Sequence, residues 1–397
     1  GEEVPWSFGD AAPYLREARQ RYLQTIQSQP ATEPEPCSAC GLCRWAEFCE
    51  AQWGPSDLTN VHRLTRIQRR QLREQGVATI EQLAAATAAP AGLAKQTFAR
   101  LREQASVQAG VEPFVLIRPQ SRNEGLAKVP APHSGDIYFD LEGDPFAGIP
   151  TLDYLWAYCD VAGNYTHRWA HAVDAERAAF LWFLEVLEAK DDEGGDWHVY
   201  HYNSYELTSL RRVAADWPEP HQQASLVARV EAIIKRRFID LYFVVENSLR
   251  TQKGTTSLKL IEKLAGYDRT AGAAADAVAR ADDSIRAYEQ FILSTDEATK
   301  AAILQGILEY NTHDVRATHA VHEWLFNLAA TLAPDDIVED DVEEYEQSDN
   351  VRVRIERTDE LGARLLAAAK LGSGLPSGLS ATGAGMLADM LGWHRRE

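Results

Sequence analysis

Asp140 and Glu142 are the residues whose types and spacing most directly suggest chemistry. They lie in a stretch where Ile137, Phe139 and Leu141 alternate with polar positions, the period-two pattern of a β-strand. This alternation directs both carboxylates to the same face of the strand. Two adjacent carboxylates repel each other, and a divalent cation relieves the repulsion by taking both as ligands. A strand edge with two solvated acids is the alternative, and the strand by itself does not decide between them.

Two further carboxylates stand where they would complete a metal site. Glu206 opens a predicted helix directly after the predicted strand 197–202, so its side chain can point back over the sheet edge. Tyr310 and Asp314 are four residues apart in a predicted helix and therefore lie on one face of it. Two divalent ions about 4 Å apart need a set of carboxylates that bridges and flanks them. The acids together predict a site for two metal ions.

Four of the five cysteines fall within thirteen residues, with the spacing C-x2-C-x2-C-x5-C. They are Cys37, Cys40, Cys43 and Cys49. Disulfides across such short loops would be strained, and in a cytoplasmic protein thiols stay reduced. The run therefore predicts metal binding. A [4Fe–4S] cluster is favoured over a zinc ion because zinc sites usually combine two separated cysteine pairs. The fifth, Cys159, is interpreted as a buried thiol in a strand.

The dense basic run of the sequence lies in a predicted helical segment, 57–101. Its candidate contacts to nucleic acid are Arg66, Arg69, Arg70 and Arg73. Residues 72–83 are predicted to form a helix, a turn at Gly76 and a second helix capped by Thr79. This unit resembles a helix-hairpin-helix motif, which binds backbone phosphates. A plain helical hairpin is the alternative, because the turn lacks a second glycine.

The composition indicates a folded protein of two or three domains, with 397 residues, 45% of them hydrophobic, and ten tryptophans. The sequence contains no run of about 18 apolar residues, so it predicts no transmembrane helix. Its amino terminus does not have the pattern of a secretory signal, and a cytoplasmic location is expected. The formal net charge of −19 excludes binding of nucleic acid through a broad basic surface. It does not exclude an enzyme that acts on nucleic acid, because catalytic carboxylates add to the count.

The elements that must position these residues form a predicted α/β fold, with a mixed sheet flanked by helices. Strands are predicted at 154–161 and 165–170, joined in a hairpin at Gly163 and Asn164, and again at Phe238–Val245. The chain then divides into an N-terminal helix and spacer (1–36), the cysteine motif (37–53), a helical-hairpin domain (54–118), an α/β domain (133–328) and an acidic segment with a C-terminal tail (329–397).

Three motifs follow one another in the order Asp140-x-Glu142, Asn203-x-x-Glu206 and Tyr310-x-x-x-Asp314. With them, residues 135–325 resemble the DEDD 3′–5′ exonucleases of the ribonuclease H-like fold, in particular the YprB-type exonuclease domains of RecB-like nucleases. The cysteine run, Trp53 and the basic hairpin are similar to the segment that closes the RecB-like nuclease domain in those proteins. The catalytic motif of that domain is not visible in this sequence, so we expect the chain to be a fragment that lacks most of it.

The resemblance implies a metal-dependent 3′–5′ exonuclease with two Mg²⁺ or Mn²⁺ ions. It implies four metal ligands, which are Asp140, Glu142, Glu206 and Asp314. Tyr310 would orient the attacking water. Glu206 departs from the family, in which this ligand is more often Asp, and its extra methylene group would shift a metal or reduce activity.

The expected partner is single-stranded nucleic acid, DNA rather than RNA, with Lys259 as a further phosphate contact. A helicase in cis or in trans is a second expected partner, and no membrane is expected. Two other classes of function stay open. One is a nucleic-acid-binding module with weak catalysis. The other is a protein that binds partners and whose fold is stabilised by the cysteine-bound metal.

Overall fold

A computed structural model describes most of the chain. The described residues are 8–29, 34–37, 40, 43–119, 124–144, 151–269, 281–332, 349–371 and 379–391. They belong to two compact units, one formed by Gly1–Glu35 with Asp340–Glu397 and the other by Pro36–Glu339. Within the described ranges, we find no helix with both the length and the apolar character needed to cross a membrane. The acidic run expected between 335 and 348 lies outside the described residues.

The helices are numbered in chain order. They are α1 (Phe8–Ser28), α2 (Ala46–Gln52), α3 (Arg66–Glu74), α4 (Ile80–Ala85), α5 (Lys95–Ala109), α6 (Val173–Glu193), α7 (Tyr205–Ala215), α8 (Pro220–Arg237), α9 (Leu241–Ser248), α10 (Leu258–Leu264), α11 (Ala281–Leu293), α12 (Glu297–Ala329), α13 (Asp349–Leu371) and α14 (Ala381–Leu391). The strands are β1 (Phe114–Leu116), β2 (Ile137–Asp144), β3 (Leu152–Asp160), β4 (Tyr165–Trp169), β5 (Val199–His201), β6 (Phe238–Asp240) and β7 (Leu249–Thr251). The first unit contains α1, α13 and α14, with α13 packed against α14.

The helical hairpin predicted around Gly76 is present as α3 and α4. Gly76 has a φ of 78°, the left-handed conformation that lets the chain turn at the end of α3. The Thr79 side chain caps α4 by accepting a hydrogen bond from the backbone N of Gln82 at 3.2 Å. Apolar side chains of α3, α4 and α5, among them Leu72 and Leu83, form a core of their own.

The larger sheet has five strands in the order β4-β3-β2-β5-β6. Its β2–β3 and β3–β4 pairs are antiparallel, whereas β2–β5 and β5–β6 are parallel. Ile137, Phe139 and Leu141 of β2 pack with apolar residues of α6, α7 and α8. On the opposite face, Tyr138 packs with residues of α9, α10 and α12. The predicted α/β fold, a mixed sheet flanked by helices, is confirmed.

The predicted strand Phe238–Val245 is wrong over most of its length. The strand β6 ends at Asp240 and the helix α9 follows at once. Asp240 is the reason, because its carboxylate accepts hydrogen bonds from the backbone N atoms of Tyr242 at 2.9 Å and Phe243 at 3.4 Å. This is an N-terminal helix cap. The run of β-branched and aromatic residues indicated a strand, but the capping carboxylate outweighs that preference.

A second, two-stranded sheet connects the helical segment to the region after α9. In this sheet β1 pairs antiparallel with β7, so that Phe114 lies opposite Thr251. The Gln104 side chain of α5 also donates a hydrogen bond to the backbone oxygen of Thr251 at 3.0 Å. The segment from α3 to β1 is therefore bonded to the chain that follows the sheet.

Candidate metal and active site

Three of the predicted acids lie together. One carboxylate oxygen from each of Asp140, Glu142 and Asp314 lies within 4.8 Å of the others. Asp140 and Glu142 share one face of β2, as the alternation predicted, and Asp314 comes from α12, which packs against β2. Residues 174 positions apart in the chain thus converge on one place.

Asn311 of α12 holds Asp140 in position. The Asn311 Nδ2 donates a hydrogen bond to Asp140 Oδ2 at 2.7 Å, and its Oδ1 accepts one from the Tyr165 hydroxyl at 2.8 Å. Asn311 is fully buried. The amide therefore has a fixed orientation, and Asp140 has little freedom to turn. Sequence reasoning missed Asn311, although its place one residue after Tyr310 puts it on the same turn of the helix.

Glu142 has a corresponding partner in α11. The buried Ser284 hydroxyl donates to Glu142 Oε2 at 2.7 Å, and the Tyr154 hydroxyl lies 2.7 Å from the same Ser284 oxygen. Tyr154 belongs to β3, the neighbour of β2 in the sheet. The carboxylate is thus held between the sheet and a helix that sequence reasoning did not predict.

The electrostatics of the three acids favour a cation between them. Burial, followed by the negative charges of Asp314, Glu206 and Glu142, raises the pKa of Asp140 well above its usual value. Burial and the charge of Asp314 raise the pKa of Glu142 to about 8. Carboxylate oxygens are the ligands that Mg²⁺ and Mn²⁺ prefer. A divalent ion between the three carboxylates would relieve their mutual repulsion, so these residues fit the expected Mg²⁺ or Mn²⁺.

These acids lie in the part of the chain for which a related family is found. Residues 137–326 match the family model of the RNase_H superfamily. The match begins at the first residue of β2 and ends inside α12, so it contains all the predicted acids. No curated protein and no solved structure matches the chain. The matched segment, which contains the sheet and most of its helices, is referred to below as the α/β domain.

Glu206 lies at the edge of the acid group in the α/β domain. It is buried in the first turn of α7, and its charge and a hydrogen bond contribute to the raised pKa of Asp140. His201 Nδ1 lies 3.4 Å from Glu206 Oε2. Neither Glu206 Oε2 nor His201 Nε2 has a hydrogen-bond partner among the described residues. Glu206 is next to Asp140 but is not one of the three residues whose oxygens lie within 4.8 Å.

Gly143 explains how α7 comes so close to β2. A β-bulge shifts the register between Glu142 and Gly143. A Cβ atom at Gly143 would collide with the Tyr205 hydroxyl and with Asp153 Oδ1. These two groups share a hydrogen bond of 2.6 Å, and Arg212 Nη2 donates to the other oxygen of Asp153 at 2.6 Å. The missing side chain therefore makes room for the contacts that fix the first turn of α7.

Two cations lie beside Asp314. Arg269 forms an ion pair with Asp314 and donates to both carboxylate oxygens of Glu262, at 2.7 and 2.6 Å. Lys259 Nζ lies 4.4 Å from the centre of the Tyr310 ring, and burial lowers the pKa of this lysine. Tyr310 is also buried and shares the helix face of Asp314. Lys259 is thus close to the acids as expected, while Arg269 was not anticipated.

The cysteines are only partly brought together. Cys37 Sγ and Cys40 Sγ are 3.9 Å apart, and the Cys37 backbone N donates to Cys40 Sγ at 3.2 Å. Cys49 lies in α2 and Cys43 just before it. Over the residues that the structure covers, no three of these sulfurs approach one another as closely as the three acids do. The predicted cluster therefore stays a prediction.

The predicted arginine contacts differ in exposure. Arg66 and Arg70 are exposed on α3, and Arg70 Nε is 4.0 Å from Glu74. Arg73 Nη2 forms an ion pair with Asp57 Oδ2 at 3.0 Å. Arg69 is only 2% exposed, so its side chain contacts the protein interior. Arg66 and Arg70 are thus the most exposed of this set, Arg73 is partly exposed, and Arg69 is buried.

Proposed function

We propose that the protein is a metal-dependent nuclease that hydrolyses phosphodiester bonds. The observation that carries this proposal is the convergence of Asp140, Glu142 and Asp314 within 4.8 Å, in a segment that matches the RNase_H superfamily. We further infer a 3′–5′ exonuclease that acts on single strands, DNA rather than RNA. This inference rests on the spacing of Tyr310 and Asp314 and on the resemblance to YprB-type domains.

The acids would hold two Mg²⁺ or Mn²⁺ ions, with Glu206 as the fourth ligand. When bound, such ions lower the pKa of a water molecule and stabilise the negative charge of the leaving oxygen. Asn311 and Ser284 keep Asp140 and Glu142 oriented, which spares the site a rearrangement on binding. The Tyr310 hydroxyl would orient the attacking water.

Lys259 would bind the phosphate next to the acids. Its ammonium group lies over the Tyr310 ring. Burial lowers the pKa of this lysine, and the negative charges of Asp314 and Glu142 act in the opposite direction. A phosphate that carries negative charge needs such a cation close to a cluster of carboxylates, which would otherwise repel it. Arg269 would help in the same way, because its ion pair with Asp314 reduces the negative charge that the phosphate meets.

The cysteine run would bind a [4Fe–4S] cluster, with zinc as the alternative. The spacing of the run and the approach of Cys37 to Cys40 support metal binding. We place the protein in the cytoplasm, where these thiols stay reduced. By its resemblance the chain is part of a RecB-like nuclease, and a helicase in cis or in trans is its expected partner.

A second candidate is a nucleic-acid-binding module with weak catalysis. The ion pair between Arg269 and Asp314 favours it, because a guanidinium group already occupies one oxygen of a proposed ligand. The longer side chain of Glu206 also favours it. Calorimetric titration with Mn²⁺ separates the two candidates, since weak metal binding together with intact strand binding would support the second.

The test is degradation of end-labelled single- and double-stranded DNA and RNA in the presence of Mn²⁺. Asp140→Asn and Asp314→Asn should each lower the rate by at least about 100-fold. Loss of a residue that only hydrogen-bonds to a metal ligand already lowers metal affinity or activity by about 10–100-fold. Glu309→Gln is the matched control. Glu309 is an exposed acid of α12 that bonds to Gln305. Equal rates in the wild type and in Asp140→Asn would refute the proposal.

A further inference from the structure

A polar cleft lies where the helical segment meets the α/β domain. It is formed by His62 and Arg63 before α3, Arg100 of α5, and Glu246 and Arg250 from α9 and β7. Three guanidinium groups converge here in a chain with a formal net charge of −19. Such a concentration of positive charge needs an explanation.

The buried Glu246 does not neutralise the whole cleft, because its carboxylate already has partners. His62 Nε2 lies 2.9 Å from Glu246 Oε1, and Arg63 Nε lies 2.8 Å from Oε2. The Thr256 hydroxyl donates to Oε1 as well. This one negative charge is thus shared by Arg63, His62 and a hydroxyl group. Glu103 supplies a second carboxylate, whose Oε2 lies 3.4 Å from Arg250 Nε.

Arg250 is incompletely paired. Its Nη1 donates only to the backbone oxygens of Glu246 and Leu249, both at 3.3 Å. Its Nε is buried without a hydrogen-bond partner among the described residues, although Glu103 Oε2 lies 3.4 Å away. Burial lowers the pKa of Arg250. The charges of Glu103 and Glu246 raise it in part, and those of Arg100 and Arg63 lower it.

Arg100 is the second unsatisfied cation. Its side chain is half-buried and makes no hydrogen bond or ion pair with any residue that the structure describes. Arg63 adds backbone strain, because it adopts a φ of 58° although it is not a glycine. A strained backbone conformation costs free energy, and such conformations concentrate at sites that bind ligands.

We propose that this cleft binds a phosphate group of a nucleic-acid strand. A phosphate oxygen would supply an acceptor for Arg100 and a hydrogen bond for Arg250 Nε, whose ion-pair partner Glu103 lies 3.4 Å away. Arginine is well suited to bidentate phosphate contacts. The ligand chemistry is that of a phosphate monoanion or diester. This inference rests on the proposed function for the identity of the carrier, a strand whose end reaches the acids.

The position of the cleft favours a strand over free phosphate. Thr256, which bonds to Glu246, comes three residues before Lys259, the lysine over the Tyr310 ring. Three residues span at most about 11 Å, so the wall of the cleft leads directly to the proposed active site. The Tyr202 hydroxyl, close in sequence to Glu206, also donates to the backbone oxygen of Thr256. Residues 256–259 thus connect the hydrogen-bond partner of Glu246 to the lysine beside the acids.

The test measures binding, so that it does not depend on cleavage. Fluorescence anisotropy of a labelled single-stranded oligonucleotide is followed against salt concentration, with the full chain carrying Asp140→Asn. Adding Arg100→Gln should weaken binding about tenfold at low salt, the cost of one charge-assisted hydrogen bond. It should also reduce the slope of log K against log salt by about 0.7, the value for one contact to a single strand. Arg250→Gln should act in the same direction.

Arg229→Gln is the matched control. Arg229 pairs with Glu188 on the surface of α8, far in sequence from the cleft. Because Arg100 makes no bond to the described part of the protein, its replacement should leave the unfolding temperature unchanged. Equal affinity and slope in Arg100→Gln and Arg229→Gln would overturn the proposal.

Calorimetry with inorganic phosphate distinguishes the two carriers. If phosphate binding requires Arg100 but strand binding does not, the cleft binds a free anion. That result would overturn the proposal that it binds a nucleic-acid strand. The proposed function fails separately. Strand binding that depends on Arg100, without Mn²⁺-dependent cleavage, would refute the nuclease proposal and support the phosphate site in the cleft. Mn²⁺-dependent cleavage by the wild type, with unchanged strand binding by Arg100→Gln, would support the nuclease and refute the phosphate site.

Discussion

Replacement of Glu142 by glutamine should stabilise the metal-free protein at alkaline pH and remove its stabilisation by Mn²⁺. The pKa of Glu142 rises from 4.5 to about 8 because the group is buried and lies near Asp314. The folded state therefore binds more protons than the unfolded state between these two pH values, and the wild type loses stability as the pH rises through them. Glutamine has a similar shape and can still accept the hydrogen bond of Ser284, but it carries no charge.

The magnitude follows from the size of the pKa change. A rise from 4.5 to about 8 corresponds to about 5 kcal/mol of lost stability above pH 8, at about 1.4 kcal/mol per pKa unit. Asp140 and Asp314 take part in the same repulsion, and either can be protonated instead of Glu142. The single substitution should therefore restore only about 1–3 kcal/mol of the lost stability. For a domain of this size that is an increase in Tm of roughly 3–10 °C. Below about pH 4.5 the gain should vanish, because wild-type Glu142 is then protonated in both states.

Thermal unfolding followed by circular dichroism tests this at about pH 5 and pH 9, with and without Mn²⁺. Mn²⁺ should raise the Tm of the wild type, because a ligand of the folded state stabilises it, and should leave the variant unchanged. Glu309→Gln, on the exposed side of α12, should behave as the wild type. A variant less stable than the wild type at pH 9, or one that Mn²⁺ stabilises to the same extent, would show that the acids do not form a cation site.

Two further predictions concern the approach of α7 and the cysteine run. Gly143→Ala should lower the free energy of unfolding in urea by about 1–3 kcal/mol, the usual cost of overpacking, because the new methyl group displaces Tyr205. Gly54→Ala, where a Cβ meets open space, should change it little, and equal effects would contradict the reasoning. Cys40→Ser should remove a brown colour and the bound iron, or the bound zinc of a colourless protein, as measured by elemental analysis. A wild type purified with neither metal would contradict the metal-binding interpretation.

Local signals in the sequence predicted much of the fold and part of the site. Alternation placed Asp140 and Glu142 on one face of β2, and helical spacing put Tyr310 and Asp314 on one side of α12. The turn at Gly76 was also predictable, since glycine accommodates the left-handed conformation at a helix end. Each of these features depends on residues close together in the chain.

The rest depends on tertiary contacts that no local pattern reveals. Asn311 and Ser284 are ordinary helix residues until α11 and α12 pack beside the sheet and their side chains meet Asp140 and Glu142. Arg269 contacts Asp314 across 45 positions of the chain. The helix α9 was misread as a strand because its apolar residues suit either element, and the capping role of Asp240 depends on backbone geometry.

The pairing of β1 with β7 ties together segments that are far apart in the chain. Since β1 precedes the α/β domain and β7 lies within it, removal of everything before residue 133 would leave β7 without its neighbour and expose the unpaired backbone of that strand. Such a truncated protein should tend to self-associate through this edge. Conversely, a protease cut between β1 and β2 should leave the two pieces held together under native conditions.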